Sequence, residues 1–290
     1  MEKMAQKTIL ITGCSEGGIG DALAKAFHRQ GLRVFATARN LAKIEHLKKL
    51  GLETLSLDVT DSTSIKMAVD AVQLKTGGKL DFLVNNSGGG YAMPLLDTEV
   101  SVAQKMFDTN VFALVAVTQA FSPLLISSKG TVINIGSVAG ISPGYWQGYY
   151  NASKAAVNII TDQLRLELEP LGVKAILVIT GGVKTKFFDN QPSVKLPDNS
   201  PYAPARDLIE SAAAGDVVLS TAMDVDVYAN KVVKNALKKN PQTHQWAGGD
   251  ASIIWFVSTF LWHTSWDLLL PSRWRIPELK QRISAARKEQ

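Results

Sequence analysis

The segment "GSVAGISPGYWQGYYNASK" places the hydroxyl of Ser137 ahead of a Tyr-x-x-x-Lys pair, Tyr150 and Lys154, at the start of an apolar helical stretch. Residues four apart on a helix share a face, so the Lys154 ammonium is expected beside the Tyr150 phenol, favouring its ionised form. A free phenol, with a pKa of about 10, exchanges protons poorly near neutrality unless a cation or hydrogen-bond donors stabilise the phenolate. Ser137 would hold the same oxygen that Tyr150 protonates. Tyr149 is five residues from Lys154 and off that face, and Tyr145 precedes the helix in a Pro/Gly loop. The chemistry on offer is proton transfer to or from an oxygen. Tyr-x-x-x-Lys alone is common, so its meaning depends on the rest of the chain.

A second constellation is "TGCSEGGIG", Thr12 to Gly20, between a strand-like run and the helical stretch "DALAKAFHRQ". A glycine-rich turn opening a helix presents backbone N–H groups to a diphosphate. Gly13, Ser15, Gly18, Ile19 and Gly20 are the candidate contacts. Strand two ends Thr37-Ala38-Arg39 without the acid that NAD-preferring sites use for the ribose hydroxyls. Arg39 would suit a 2′-phosphate, so NADP(H) is favoured, with Ser15 a second contact; Glu16 counts mildly against it, and a solvated loop arginine is the plain alternative. Asp58 and Val59, closing strand three, are placed for the adenine, although Asp is also a common cap.

These residues need a frame that gathers distant segments. Apolar runs at Lys7 to Thr12, Arg33 to Ala38, Glu53 to Asp58, Asp81 to Asn86, Thr131 to Ser137 and Lys174 to Thr180 alternate with helical stretches. Their near-continuous apolarity suits parallel strands covered on both faces, so the expected fold class is α/β: a single doubly wound parallel sheet with helices on both faces. Ligands then sit beyond the carboxyl ends of the strands, where Gly13 to Gly20, Arg39, Asp58, Asn85 to Gly90, Ser137 and Thr180 to Thr185 cluster.

The 290 residues, 46% of them hydrophobic, can bury one sizeable core with no linker dividing it. A net charge of +5 with scattered basic residues indicates no nucleic-acid interface. Cys14 is the single cysteine, excluding an internal disulfide and fitting a reducing compartment. His28, His46, His244 and His263 are dispersed, so no metal site is expected. "MEKMAQK" has no apolar core, so no signal peptide is expected and the location read is cytoplasmic.

With these motifs in order, the chain resembles the short-chain dehydrogenase/reductase family and its Rossmann-type fold. The resemblance implies Tyr150 as acid/base, Lys154 binding the nicotinamide ribose and tuning Tyr150, Ser137 orienting a carbonyl, and Asn110 in "FDTNV" anchoring a relay water. It implies Asn85, Asn86 and Gly88 at the sheet top and the nicotinamide side, with Val183 and Thr185 at the carboxamide. Within the family the chain is similar to the 1-acyldihydroxyacetone-phosphate reductases and related fungal reductases, including tailoring enzymes of secondary metabolism. "LITGCSEGGIG", "NIGSVAG", "YNASKAA", "LRLELEPLGVK" and "ITGGVKTKFFDN" support that closer match. Three departures from the family's pattern stand out: one extra residue in the glycine turn, with Gly17 the inserted or alternative glycine, Ser87 in place of alanine, and Thr180 in place of proline.

The expected reaction is reduction of a small-molecule ketone by NADPH, with Tyr150 giving the proton; the substrate is either a lipid such as 1-acyldihydroxyacetone phosphate or a polyketide or terpenoid carbonyl. A non-catalytic NADP(H)-binding scaffold at a membrane is the reading from another class. Substrate contacts are sought in a lid at about 185–225, chiefly Phe187 and Phe188, with Tyr91 and Met93 opposite and Lys184, Lys186, Lys195 and Arg206 as cations for a phosphate. The lid belongs to a cofactor-binding domain at 1–250, followed by a Trp-rich extension at 251–290. Residues 251–275 read either as a monotopic helix in a membrane interface or as a core or dimer-contact helix. The closer match implies association with lipid droplets and endoplasmic reticulum, and the wider family implies a homodimer or homotetramer.

Overall fold

A computed structural model describes residues 6–191 and 195–288. Residues 1–5, which carry most of the signal-peptide reading, residues 192–194 of the expected lid and residues 289–290 lie outside the described residues. Six expected strands form: β1 (Thr8–Ile11), β2 (Arg33–Ala38), β3 (Glu53–Ser56), β4 (Phe82–Asn85), β5 (Thr131–Ile135) and β6 (Lys174–Thr180). Four of them stop one or two residues early, releasing Thr12, Asp58, Asn86 and Ser137 from the sheet. A seventh strand, β7 (His244–Ala247), was not expected, because "HQWA" has no apolar run. All pairings are parallel in the order β3-β2-β1-β4-β5-β6-β7, with Ile9 opposite both Val34 and Phe82.

The helices are α1 (Ile19–Arg29), α2 (Glu45–Lys49), α3 (Ser62–Thr76), α4 (Val100–Phe107), α5 (Ala113–Ser128), α6 (Gly148–Leu168), α7 (Arg206–Ala213), α8 (Asp216–Leu219), α9 (Val225–Ala236), α10 (Ala251–Phe260), α11 (Trp266–Arg273) and α12 (Ile276–Lys288). Alternate strand residues enter two cores, one on each face of the sheet. Ile9, Ile11, Val34 and Ile133 pack with Leu23 and Phe27 of α1 and Val232 of α9. Leu10, Phe35, Leu83 and Val132 pack with Val72 of α3 and Phe121 of α5.

A buried polar chain fixes the helix that carries Tyr150 and Lys154. Asn85 Nδ2 donates to Thr118 Oγ1 on α5 and Asn134 Oδ1 on β5, both at 2.9 Å, and Asn134 Nδ2 donates to Thr161 Oγ1 on α6 at 3.0 Å. Each member is satisfied, as a group so deeply buried must be, and α6 is thereby set in register with the sheet.

The C-terminal stretch differs from the single apolar helix expected. Helix α10 ends at Phe260, Leu261 is extended, and a 3-10 turn at His263–Ser265 leads into α11. The polar run His263-Thr264-Ser265 interrupts the hydrophobic pattern, and Asp267 suits the positive end of a new helix. Trp266 and Trp274 are buried, whereas Trp255, Phe256, Phe260 and Trp262 are exposed. Leu279 of α12 joins Met93, Leu196, Leu208 and Ile209, so the extension is built into the core of the lid.

Candidate active site

Helix α6 brings Tyr150 and Lys154 to the carboxyl end of β5, where Ser137 has left the sheet. Lys154 Nζ lies 6.0 Å from the Tyr150 ring centroid and donates to the Ile135 carbonyl at 3.0 Å, leaving two of its three protons for other partners. Ser137 is buried and its Oγ accepts from Ala139 N–H at 3.1 Å. Burial pushes the Tyr150 phenol above its ordinary pKa, with a hydrogen bond from the Ser137 side chain pulling the other way. The expected ionising effect of Lys154 is therefore corrected: desolvation sets the direction for the free phenol, and the opposing pull comes from Ser137. Desolvation acts on Lys154 too, lowering it to about 8.

Asn110 sits on a π-helical turn, Asp108–Phe112, between α4 and α5, the kind of irregularity often found at working sites. Its Oδ1 accepts from Gly89 N–H at 2.9 Å, while Nδ2 donates to the Gly89 carbonyl at 2.9 Å and Ser153 Oγ at 3.1 Å. Both amide protons are used, so the side chain braces the loop after β4 and keeps one lone pair for a water.

The glycine turn is closely packed. Gly13 and Gly17 have positive φ, and a methyl group on Gly20 would lie 2.4 Å from the Gly13 carbonyl oxygen. Asn86 ties this turn to β4, its Nδ2 donating to the Thr12 and Gly13 carbonyls, both at 2.9 Å, so its amide positions the turn. Ser87 lies against Gly13, its Oγ 2.9 Å from where a methyl group there would stand. Gly18 caps α1, and Ile19 begins it. A methyl group on Gly88 would sit 3.0 Å from Asn110 Oδ1 and 3.8 Å from Lys154 Nζ, so this glycine keeps the floor beside Lys154 open.

Arg39 is exposed at the end of β2, and its charge helps to hold the Asp58 carboxyl below its ordinary pKa, after the hydrogen bonds from Thr60. Asp58 Oδ1 accepts from Thr60 Oγ1 at 2.7 Å and Thr60 N–H at 3.0 Å, and Val59 beside it is buried. Ser15 is half-buried in the turn. The donor set fits a nicotinamide dinucleotide: a helix N-terminus behind a glycine cradle and a lysine with free protons beside the phenol, with an exposed arginine where β2 ends.

Beyond β6, Val183 is buried and bridged to Met223, which leaves its backbone as what it offers, and Thr185 Oγ1 accepts from Phe187 N–H at 3.3 Å. The Phe187 ring stands 6.1 Å from Tyr150 and 5.4 Å from Phe188. Tyr91 packs at the edge of the cluster that encloses Met93, whose N–H donates to the Trp146 carbonyl at 2.6 Å. The cations expected at the mouth are dispersed: Arg206 is held by Asp198, while Lys184, Lys186 and Lys195 are exposed. Thr180 has a partner that its sequence context did not reveal, the buried hydroxyl of Tyr228 at 2.7 Å.

Residues 7–195 match the family model described as short chain dehydrogenase. A short-chain dehydrogenase of Penicillium ochrochloron, ptmH, is 45% identical over 237 residues, 81% of this chain and 86% of that protein. The NADPH-dependent 1-acyldihydroxyacetone phosphate reductase of Schizosaccharomyces pombe is 42% identical over 209 residues, 71% of each. Among solved structures, a short-chain dehydrogenase from Streptomyces avermitilis superposes with a TM-score of 0.76 at 26% identity, covering 94% of this chain and 97% of that one. Sequence, relatives and sheet order agree, and the chain belongs to the short-chain dehydrogenase family of oxidoreductases.

Proposed function

We propose that this protein is an NADP(H)-dependent reductase that converts a ketone to a secondary alcohol, with Tyr150 as the proton donor. The observation that carries this reading is the convergence of Ser137, Tyr150 and Lys154 at the end of β5, behind a glycine turn with Arg39 at its rim. When bound, NADPH supplies the hydride. Tyr150, kept protonated by burial, gives its proton to the carbonyl oxygen, so no charge is left unpaired in a desolvated cleft. Ser137 steadies the same oxygen with its hydroxyl. Lys154, charged below about pH 8, stabilises the phenolate that proton donation leaves and holds ribose hydroxyls with its spare protons. Asn110 fixes the loop opposite, and Phe187 covers the phenol from the lid and excludes water.

For the substrate, we favour an amphipathic ketone of the acyl-dihydroxyacetone-phosphate kind, with an apolar acyl chain and a charged phosphate. The name of the Schizosaccharomyces pombe relative and the aromatic lid support it. A polyketide or terpenoid carbonyl is the competing substrate. The exposed side chains of Ile253, Trp255, Phe256, Phe260 and Trp262 support peripheral contact with a lipid surface, where a lipid ketone would be met. Incubating the purified protein with NADPH and a ketone panel, including 1-acyldihydroxyacetone phosphate, tests the activity. Consumption of NADPH with one class of ketone fixes the substrate, and binding without turnover would leave only a scaffold role.

A further inference from the structure

The extra residue in the glycine turn changes which groups remain for the diphosphate. Three successive N–H groups are already engaged within the protein: Glu16 N–H donates to the Lys43 carbonyl at 3.2 Å, Gly17 N–H to Asp21 Oδ2 at 3.0 Å, and Gly18 N–H to the Ser15 carbonyl at 3.1 Å. Asp21 is buried and also receives Lys25 Nζ at 2.9 Å and His46 Nε2 at 2.8 Å, so the Gly17 bond belongs to a fixed network. The groups of the turn still open to a diphosphate are then the Ser15 N–H before the engaged run and, after it, the first N–H groups of α1, those of Ile19 and Gly20, which have no partner within a helix.

A side chain from the far half of the molecule lies across this place. Lys186 N–H donates to the Gly17 carbonyl at 3.2 Å. The Lys186 stem runs over Gly17: a methyl group there would lie 3.0 Å from Cδ and 3.2 Å from Cγ and Cε. The next residue, Phe187, packs on Tyr150, and Phe188 packs on the Gly215 turn between α7 and α8. Three consecutive residues therefore touch the glycine turn, the phenol and the lid helices. A cation on a stem laid over a glycine turn is suited to a diphosphate.

On the NADP(H) reading above, we propose that Lys186 binds the cofactor diphosphate, taking the place of the N–H group that Gly17 gives to Asp21. By doing so it joins cofactor binding to closure of the Phe187–Phe188 lid. Lys186 is then a cofactor contact and not a ligand for a substrate phosphate.

The test is fluorescence titration of NADPH and of 2′-AMP, which carries the 2′-phosphate without the diphosphate, into wild type, Lys186→Met, Lys186→Arg and Lys184→Met. Methionine keeps the apolar stem and removes the charge. Lys186→Met is expected to weaken NADPH about 10-fold and leave 2′-AMP unchanged. Lys186→Arg and Lys184→Met should stay near wild type, and chymotryptic cleavage at Phe187 or Phe188 should be suppressed by saturating NADPH in wild type but less so in Lys186→Met. Unchanged NADPH affinity in Lys186→Met, or equal loss of both ligands, would overturn the assignment. Should the methionine variant fold poorly, Lys186→Gln, which removes the charge and keeps a polar head, repeats the test, and NADPH affinity equal to wild type would again contradict the assignment. Wild type that binds no NADPH would instead sink the cofactor reading itself.

Discussion

The Lys154 ammonium stands 6.0 Å from the centre of the Tyr150 ring with one proton held by the Ile135 carbonyl. Its position lets it stabilise negative charge on the phenol once a proton has left, while burial keeps the phenol neutral beforehand. That order suits a proton donor in the reducing direction.

Lys154 should also leave a signature in pH dependence. The folded protein releases its proton near pH 8, whereas the ordinary value is 10.5, so between these limits the unfolded chain binds more protons and stability rises with pH. The desolvation penalty is complete below about pH 8. Thermal melts of Lys154→Met from pH 7 to 10 are expected to lack this rise. NADPH affinity in wild type should weaken as pH passes through 8, and the inflection should vanish in the variant.

Arg39 is expected to decide between the two nicotinamide dinucleotides. Removing a guanidinium from a phosphate forfeits a charge-assisted, bidentate contact, so Arg39→Ala should raise the NADPH dissociation constant by about 10-fold. The NADH constant should barely change. Isothermal titration with both cofactors measures the ratio, and parallel losses would assign Arg39 to the surface alone.

Thr180 and Tyr228 form a buried hydroxyl pair. Thr180→Val should cost about 1–3 kcal/mol in urea unfolding, because it leaves the buried Tyr228 hydroxyl without its partner, and Tyr228→Phe should cost less, because Thr180 Oγ1 keeps the Val178 carbonyl at 3.3 Å. The double substitution should cost less than the sum, since it removes both. Strict additivity would mean that the pair does not act as a unit.

The exposed aromatic side of α10 predicts binding to vesicles of phosphatidylcholine and phosphatidylserine. Replacing Trp255, Phe256 and Trp262 together by serine should lower partitioning at least ~10-fold in a sedimentation assay and leave NADPH affinity intact. Equal partitioning of wild type and variant would deny α10 this role.

Much of this architecture was legible before the structure, because six strands are apolar runs flanked by turns and parallel sheets impose that pattern. β7 was not, since His244 and Gln245 interrupt its apolarity and its pairing depends on β6. The Ser137, Tyr150 and Lys154 cluster could be read from spacing. The sign of the phenol shift could not, because it depends on how much water the fold removes from both partners. Sequence also concealed the commitments of Asn110 to Gly89 and Ser153, and of Gly17 to Asp21, which arise from loops meeting across the site. The break at Leu261 was hidden by tryptophans that look alike until packing separates Trp266 from Trp262.

The most direct test of the account is single-turnover reduction of an accepted ketone by NADPH in wild type and Tyr150→Phe, with cofactor affinity measured alongside. The prediction is that Tyr150→Phe binds NADPH about as tightly as wild type and loses at least 10²-fold in rate. A phenylalanine variant that reduces the ketone at the wild-type rate would contradict Tyr150 as the proton donor.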